Sequence, residues 1–371
     1  MAPIMVYFGE LPDPRVDRTR LHRLDDIVVI TILAVICGAD SWTDVADFGR
    51  AKESWLRTFL ALPNGIPSHD TIGRVFAALD PTALERCFVK WTADLATQTA
   101  GQVIAIDGKT LRHSFDTAHA KAAIHMVSAW AAANQLVLAQ VATDAKSNEI
   151  TAIPKLLELL DLKGSLITID AMGCQKEIAR KIVDRGGDYL LAVKDNQPTL
   201  HERVKGLMDE AIQDDFAGSQ HDYWEQTEKG HGRIEIRRVW CTGEAHWIQL
   251  SEQWPGLASL GAVECERILG DKHSRDRRYF ISSLDGRSAQ RIGQAVRDHW
   301  GVENGLHWSL DVSFGEDACR VRANYAAENF SRLKRIGLNL LKQEKTLKVG
   351  IKGKRLMAGW DEPYLLKVLR I

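Results

Sequence analysis

No two cysteines in this chain stand in a Cys-x-x-Cys pair, and the six present, at 37, 87, 174, 241, 265 and 319, are scattered. That argues against a zinc site and a disulfide framework, and for a reducing cytoplasm. Long apolar runs are missing as well. The longest, Ile27 to Cys37 with Thr31 inside it, is too short to span a bilayer and follows two acids, so it reads as a core helix. There is no low-complexity tract and no long internal repeat. Net charge is nearly absent, −1 over 371 residues, so the total gives no hint of a nucleic-acid partner. The remaining composition, 45% hydrophobic and 26% charged, is that of an ordinary globular protein with room for two or three domains. The charge is unevenly placed, however. From Arg320 to Ile371 there are 13 Lys and Arg against 4 Asp and Glu, which makes the C-terminal end a candidate polyanion-binding surface.

What is present is organised around Val103-Ile104-Ala105-Ile106-Asp107-Gly108-Lys109. Four apolar residues without a polar break predict a fully buried strand. It ends on a carboxylate followed by glycine, at the rim where open α/β sheets hold ligands. The pattern returns 63 residues later at Leu166-Ile167-Thr168-Ile169-Asp170. Two strand-end aspartates predict a shared carboxylate site for hard divalent cations. The plainer alternative is that each Asp caps the turn after its strand.

Residues 1–98 read as a helical domain. Leu24 to Cys37 and Trp42 to Leu60 are two of its helices. Ser68-His69-Asp70-Thr71 supplies caps for a third, and Asp80-Pro81 starts a fourth. This is either a DNA-binding module or a small bundle packed on the next domain. Residues 99–213 read as strand, hairpin, helix, strand, helix, strand. Three antiparallel strands followed by two parallel crossovers is the layout of a ribonuclease H-like core. The fold class expected is therefore α/β, a mixed sheet flanked by helices. Residues 214–286 read as a β-rich insertion, with strands at Arg233 to Trp240, Trp247 to Leu250, Ala262 to Leu269 and Arg278 to Leu284. Residues 287–345 hold two further helices, and 346–371 a basic tail.

The first of those two helices contains an echo, His299-Trp300-Gly301-Val302-Glu303 and then His307-Trp308-Ser309-Leu310-Asp311. In a straight α-helix a spacing of eight puts Glu303 and Asp311 on similar faces about 12 Å apart. A solvated stripe of i, i+4 pairs is one reading. Two tryptophans beside the acids favour a partly buried polar face, whose acids need partners or metal. Glu303 is the better candidate and Asp311 the second.

These residues resemble a known family. Pro67-Ser68-His69-Asp70-Thr71, Ala105-Ile106-Asp107-Gly108-Lys109, Asp170-Ala171-Met172-Gly173-Cys174-Gln175, Lys194-Asp195-Asn196-Gln197, and His299-Trp300 through Glu303-Asn304 to Asp317 occur in order over nearly the whole length. The combination is similar to the DDE transposases of bacterial insertion sequences, in their H-repeat-associated (ISAs-type) branch. The resemblance implies a ribonuclease H-like catalytic domain with a β-rich insertion before its catalytic helix. It implies Asp107, Asp170 and Glu303 as the catalytic and metal-binding acids, with two Mg²⁺ ions, for which Mn²⁺ substitutes, and Asp107 between them. The expected partners are double-stranded DNA, as terminal inverted repeats and target, and a second copy in a homodimeric complex. No membrane partner is expected, and the setting is the bacterial cytoplasm, at the nucleoid when DNA-bound. The broader group carries Tyr, Arg and Lys seven before, four before and seven after its glutamate. Here Val296, His299 and Leu310 stand at those positions. Lys109, Lys194, Asn196, Gln197, Arg297, His299 and His307 are the candidate DNA or phosphate contacts, and the basic run Arg332 to Arg355 would add backbone affinity. Two rival readings are a nuclease that hydrolyses but never joins strands, and a transposase-derived DNA-binding protein without catalysis.

Overall fold

The computed structural model describes residues 4–96, 102–115, 122–143, 149–230 and 232–369. The chain opens with helices α1 (Met5–Phe8), α2 (Leu24–Cys37), α3 (Trp42–Ala51), α4 (Glu53–Leu56), α5 (His69–Ala78) and α6 (Pro81–Leu95). Local chemistry sets their starts. Ser41 and Asp44 form a reciprocal capping box on α3. Ser68 caps α5 through the Thr71 N–H. Asp80 caps α6, with Pro81 at its first position. α2 is apolar on every side and buried for almost its whole length, so it forms the centre of a bundle rather than a surface. The single helix expected from Trp42 to Leu60 breaks at Lys52, which leaves helical geometry between α3 and α4.

A nine-stranded sheet follows, with β1 (Val103–Thr110), β2 (His125–Ala131), β3 (Leu136–Ala142), β4 (Leu166–Ile169), β5 (Asp188–Val193), β6 (Asp222–Gly230), β7 (Arg233–Thr242), β8 (Ser259–Leu269) and β9 (Lys272–Ser282). Its order is 3-2-1-4-5-9-8-7-6. β1 pairs antiparallel with β2 and parallel with β4, and β4 pairs parallel with β5. This is the strand arrangement expected for the first half. The 214–286 region does not stand apart from it. β9 lies antiparallel on β5, from Leu190↔Ser282 to Val193↔Tyr279, so two charged hairpins extend the same sheet. Within that region Trp247 is in a 3₁₀ turn, Ala245–Ile248, rather than in a strand.

Helices cover both faces of the first half. On one face α7 (Glu149–Glu158), α8 (Lys176–Asp184) and α9 (Pro198–Gln213) bury Ile104, Ile106, Ile167 and Ile169. The other face carries α10 (Ala289–Val302) and α11 (Ala326–Gln343), then α12 (Ile351–Trp360) and α13 (Glu362–Leu369). Residues from α2, α5 and α6 share one apolar core with α11 and α13. The helical N-terminal segment is thus a bundle packed on the rest of the chain.

The C-terminal segment departs most from the sequence reading. It is two helices rather than a tail, and Leu365, Val368 and Leu369 are buried. Much of the basic run faces inward. Arg332 pairs with Glu85 and Glu328, Arg335 with Glu316, and Lys354 with Glu344. The Arg355 guanidinium donates to the Val35 carbonyl at 2.8 Å, which closes the end of α2. Buried charge needs a partner, and a partnered buried guanidinium has no face left for a DNA phosphate. Arg332, Arg335, Lys354 and Arg355 are therefore a structural network, while Lys345, Lys348 and Lys352 of the same run remain exposed.

Candidate active site

Asp107 stands near the end of β1, and Asp170 directly follows β4, the parallel neighbour of β1. Both come out at the same rim. Glu303 directly follows α10, which crosses β1 and β4. One cavity of about 370 Å³ is lined by Asp107, Asp170 and Glu303 together, with Lys194, His299 and Trp300 on its walls.

The helix changes form at that point. Glu303–His307 and Ser309–Ser313 are π-helical, and the Trp308 N–H bonds the Glu303 carbonyl five residues back. Such wide turns are rare and cluster at functional sites. Gly305 permits this one to sit against the sheet, since a Cβ there would come within 2.8 Å of the Trp130 ring. The widening undoes the single polar face expected from α-helical spacing. His307 turns to the acids, with Nδ1 3.3 Å from Glu303 Oε2 and 3.6 Å from Asp107 Oδ2. Asp311 turns away and is held by Lys109, whose Nζ lies 2.6 and 2.7 Å from its two oxygens and 3.2 Å from Asp317. The second-choice acid is thereby an ion-pair partner, and Lys109, 10% exposed, is not a free phosphate contact.

Asp107, Glu303 and His307 bring one ligand atom each to within 4.8 Å of one another. Asp170 lies outside that group. Its Oδ1 accepts from the Met172 and Gly173 N–H groups at 3.1 and 3.4 Å, so it does cap the turn after its strand. Asn196 and Gln197 hold that turn. Asn196 Nδ2 donates to the Ala171 carbonyl at 2.6 Å and Gln197 Nε2 to the Cys174 carbonyl at 3.0 Å.

Electrostatics separate the acids from the histidines. Burial pushes Asp107 up to about 7, the Gly108 N–H opposes the shift, and the charges of Asp170, Glu149 and Glu303 add to it. Asp170 is raised too, by burial and then by Glu149, with Lys194 opposing. This is a carboxylate cluster short of positive charge, and its hard oxygen donors fit a divalent cation. His299 hydrogen-bonds Thr168 at 3.0 Å, and burial pushes it down to about 4. Burial, with Arg335 nearby, also holds His307 below its ordinary value. Burial thus disfavours the charged form of both candidate phosphate contacts.

One pair was not foreseen. Glu149, in the first turn of α7, is hydrogen-bonded to His125 Nε2 at 2.6 Å, and His125 Nδ1 meets the Thr110 hydroxyl at 2.9 Å. The pair fills the space that a side chain at Gly108 would take, since a Cβ there would lie 2.1 Å from Glu149 Oε1. It stands beside Asp107, and no local pattern in the sequence announces it.

The model of the transposase DDE domain matches residues 98–340, and that of the DDE_Tnp_1-associated region matches residues 5–92. The chain belongs to the DDE transposase family. This transposase is 43% identical over 374 residues to the "H repeat-associated putative transposase YhhI" of Escherichia coli, covering 100% of this chain and 98% of that one. It is 44% identical over 370 residues to the "Putative transposase YncI" from another strain of that species, covering 99% and 94%. Among solved structures, a piggyBac transposase synaptic complex with hairpin DNA gives a loose overlay. Its TM-score is 0.42 at 13% identity, over 98% of this chain and 76% of that one. No helix among the described residues is long and apolar enough to cross a membrane.

Proposed function

We propose that this transposase cuts DNA at the ends of an insertion sequence and joins the freed 3′-hydroxyl to target DNA. The catalytic unit is a ribonuclease H-like core, with Asp107, Asp170 and Glu303 as holders of Mg²⁺, for which Mn²⁺ substitutes. The observation that supports this reading best is the carboxylate cluster. Three acids from three separate elements line one cavity, and Asp107 is pushed up to about 7 by burial and by its neighbours' charge. When bound there, two divalent ions supply positive charge at the attacking and leaving oxygens of an in-line displacement.

The chain's own residues prepare that site. The Met172 and Gly173 N–H groups orient the Asp170 carboxylate. Asn196 and Gln197 fix the same turn from the neighbouring loop. Neutral His299, tied to Thr168, packs α10 on β4 without bringing a competing cation among the acids. His307 stands between Asp107 and Glu303 and would offer a nitrogen beside their oxygens to a metal held there. Lys194, on the cavity wall, is the cation offered to the scissile phosphate.

The test is cleavage and strand transfer on DNA carrying the element's terminal repeats, together with Mn²⁺ binding followed by electron paramagnetic resonance. Asp107→Asn, Asp170→Asn and Glu303→Gln are each expected to abolish cleavage and to weaken Mn²⁺ binding while DNA binding persists. Near-normal cleavage in one variant would remove that acid from the site. Hydrolysis with no strand joining by the unaltered protein would replace the transposition reading with that of a simple nuclease.

A further inference from the structure

A second groove, of about 350 Å³, opens beside the catalytic cavity and shares Arg278, Val296 and Trp300 with it. Five arginines face two acids on its walls, a surplus of three positive charges. Four of those arginines gather on one carboxylate. Arg237 hydrogen-bonds Glu235 at 2.7 Å. Arg233, Arg267 and Arg297 stand around the same group at 3.7, 3.6 and 3.8 Å, beyond hydrogen-bond reach. Glu235 is 7% exposed, whereas these three side chains are 52%, 49% and 44% exposed. One buried carboxylate neutralises one guanidinium, and the others keep donors facing the groove. Arg297 has a second partner in Glu228, at 2.7 Å. Arg233 and Arg267 pair with no other carboxylate among the described residues.

We propose that this groove binds the phosphate backbone of the DNA strand that runs out of the catalytic cavity. The inference rests on the function proposed above and adds a second binding region to it. Guanidinium forks match phosphodiester oxygens, and an anion in the groove relieves the crowding of like charges around Glu235. The position suits the role, because the groove meets the cavity at Arg278 and Trp300 and continues along the strands of the two hairpins. A purely structural cluster, tying β7 to β8 through Glu235 and its cross-strand neighbour Arg267, needs one of these arginines rather than four.

Phosphate contacts carry no sequence information, so a mixed-sequence duplex with a single-stranded extension is a sufficient probe. Binding is followed by fluorescence anisotropy over a salt series in EDTA, where no cleavage occurs. Replacing both Arg233 and Arg267 by Ala is expected to flatten the log–log salt slope by about 1.4 to 1.8, at roughly 0.7 to 0.9 for each phosphate no longer neutralised. Replacing both by Lys is expected to preserve the slope, because the charge remains. Glu303→Gln is expected to leave the slope unchanged. Should the double Ala variant fail to fold, Arg267→Ala alone is expected to show half the effect. An unchanged slope in the Ala variants, or a Lys pair as flat as the Ala pair, overturns the proposal. The readout is separate from catalysis. A flattened slope in a protein that never cleaves keeps the groove and discards the proposed reaction, and the reverse result does the opposite.

Discussion

Asp107→Asn is expected to make the metal-free protein more stable, and the effect depends on pH in a defined direction. The carboxyl titrates near 3.8 when unfolded and at about 7 in the fold. Between those values the folded chain keeps a proton that the unfolded chain has released. Stability therefore falls as pH rises from about 4 to 7, and above 7 the full cost of a buried, crowded carboxylate is present. At about 1.4 kcal/mol for each pH unit between the two values, that cost is about 4 kcal/mol as an upper figure. The side chain is 25% exposed, so solvent relieves part of it. For a chain of this length, 4 kcal/mol corresponds to about 5 °C in melting temperature. The assay is thermal melting in EDTA at pH 4 and pH 8, for the unaltered protein and for Asp107→Asn. The variant should melt up to about 5 °C higher at pH 8 and at the same temperature at pH 4. Added Mg²⁺ should raise the unaltered protein alone, by about 2.7 kcal/mol at a hundredfold excess over its dissociation constant. A variant that melts lower than the unaltered protein at pH 8 would refute the reasoning. It would mean that the acid cluster is already satisfied within the fold and has no need of a cation.

Asp311→Asn should cost about 1–3 kcal/mol by loosening Lys109, and should leave cleavage largely intact; lost cleavage with unchanged melting would place Asp311 at the metals instead. Glu85→Gln leaves buried Arg332 with Glu328 as its remaining carboxylate and should cost about 3–5 kcal/mol in urea unfolding. A cost below about 1 kcal/mol would show that the pair is solvated. Truncation after Gln343 removes the buried Leu365, Val368 and Leu369 and should lower the melting temperature sharply while the DNA salt slope stays as it was. A stable truncated protein with a flatter slope would restore the DNA-binding reading of the C-terminal segment.

The strand-and-carboxylate pattern around Asp107 and Asp170 lies within a few residues and could be read from the sequence, although β1 runs on past Asp107 to Thr110. The helix pattern favours Glu303 over Asp311 and the family resemblance names it again, but the π turns that separate the two acids leave no mark in the sequence. What stayed hidden depends on pairs far apart in the chain. Glu85 meets Arg332 across 247 residues, so the sequence shows the charges without showing that they are buried. β6 and the outer half of β9, Lys272 to Arg278, lack apolar alternation. They are strands because cross-strand ion pairs such as Arg277 with Glu264 and Arg238 with Glu225 hold hairpins that solvent covers. The Glu149–His125 pair exists only because Gly108 leaves room for it.

The wide turns from Glu303 to Ser313 also bear on how such a gene decays. Each π turn carries a residue that an α-helix would not need. Loss of one codon there would let the ladder close into regular i→i+4 bonds and would tend to strengthen the helix. Residues beyond the turn would keep their facing, because the wide turn absorbs the extra residue, and only those within it would shift. A deletion scan through 304–313 should therefore yield proteins that fold well. Copies that have lost a single triplet here would persist as stable protein, because folding quality control has no means of recognising them as altered.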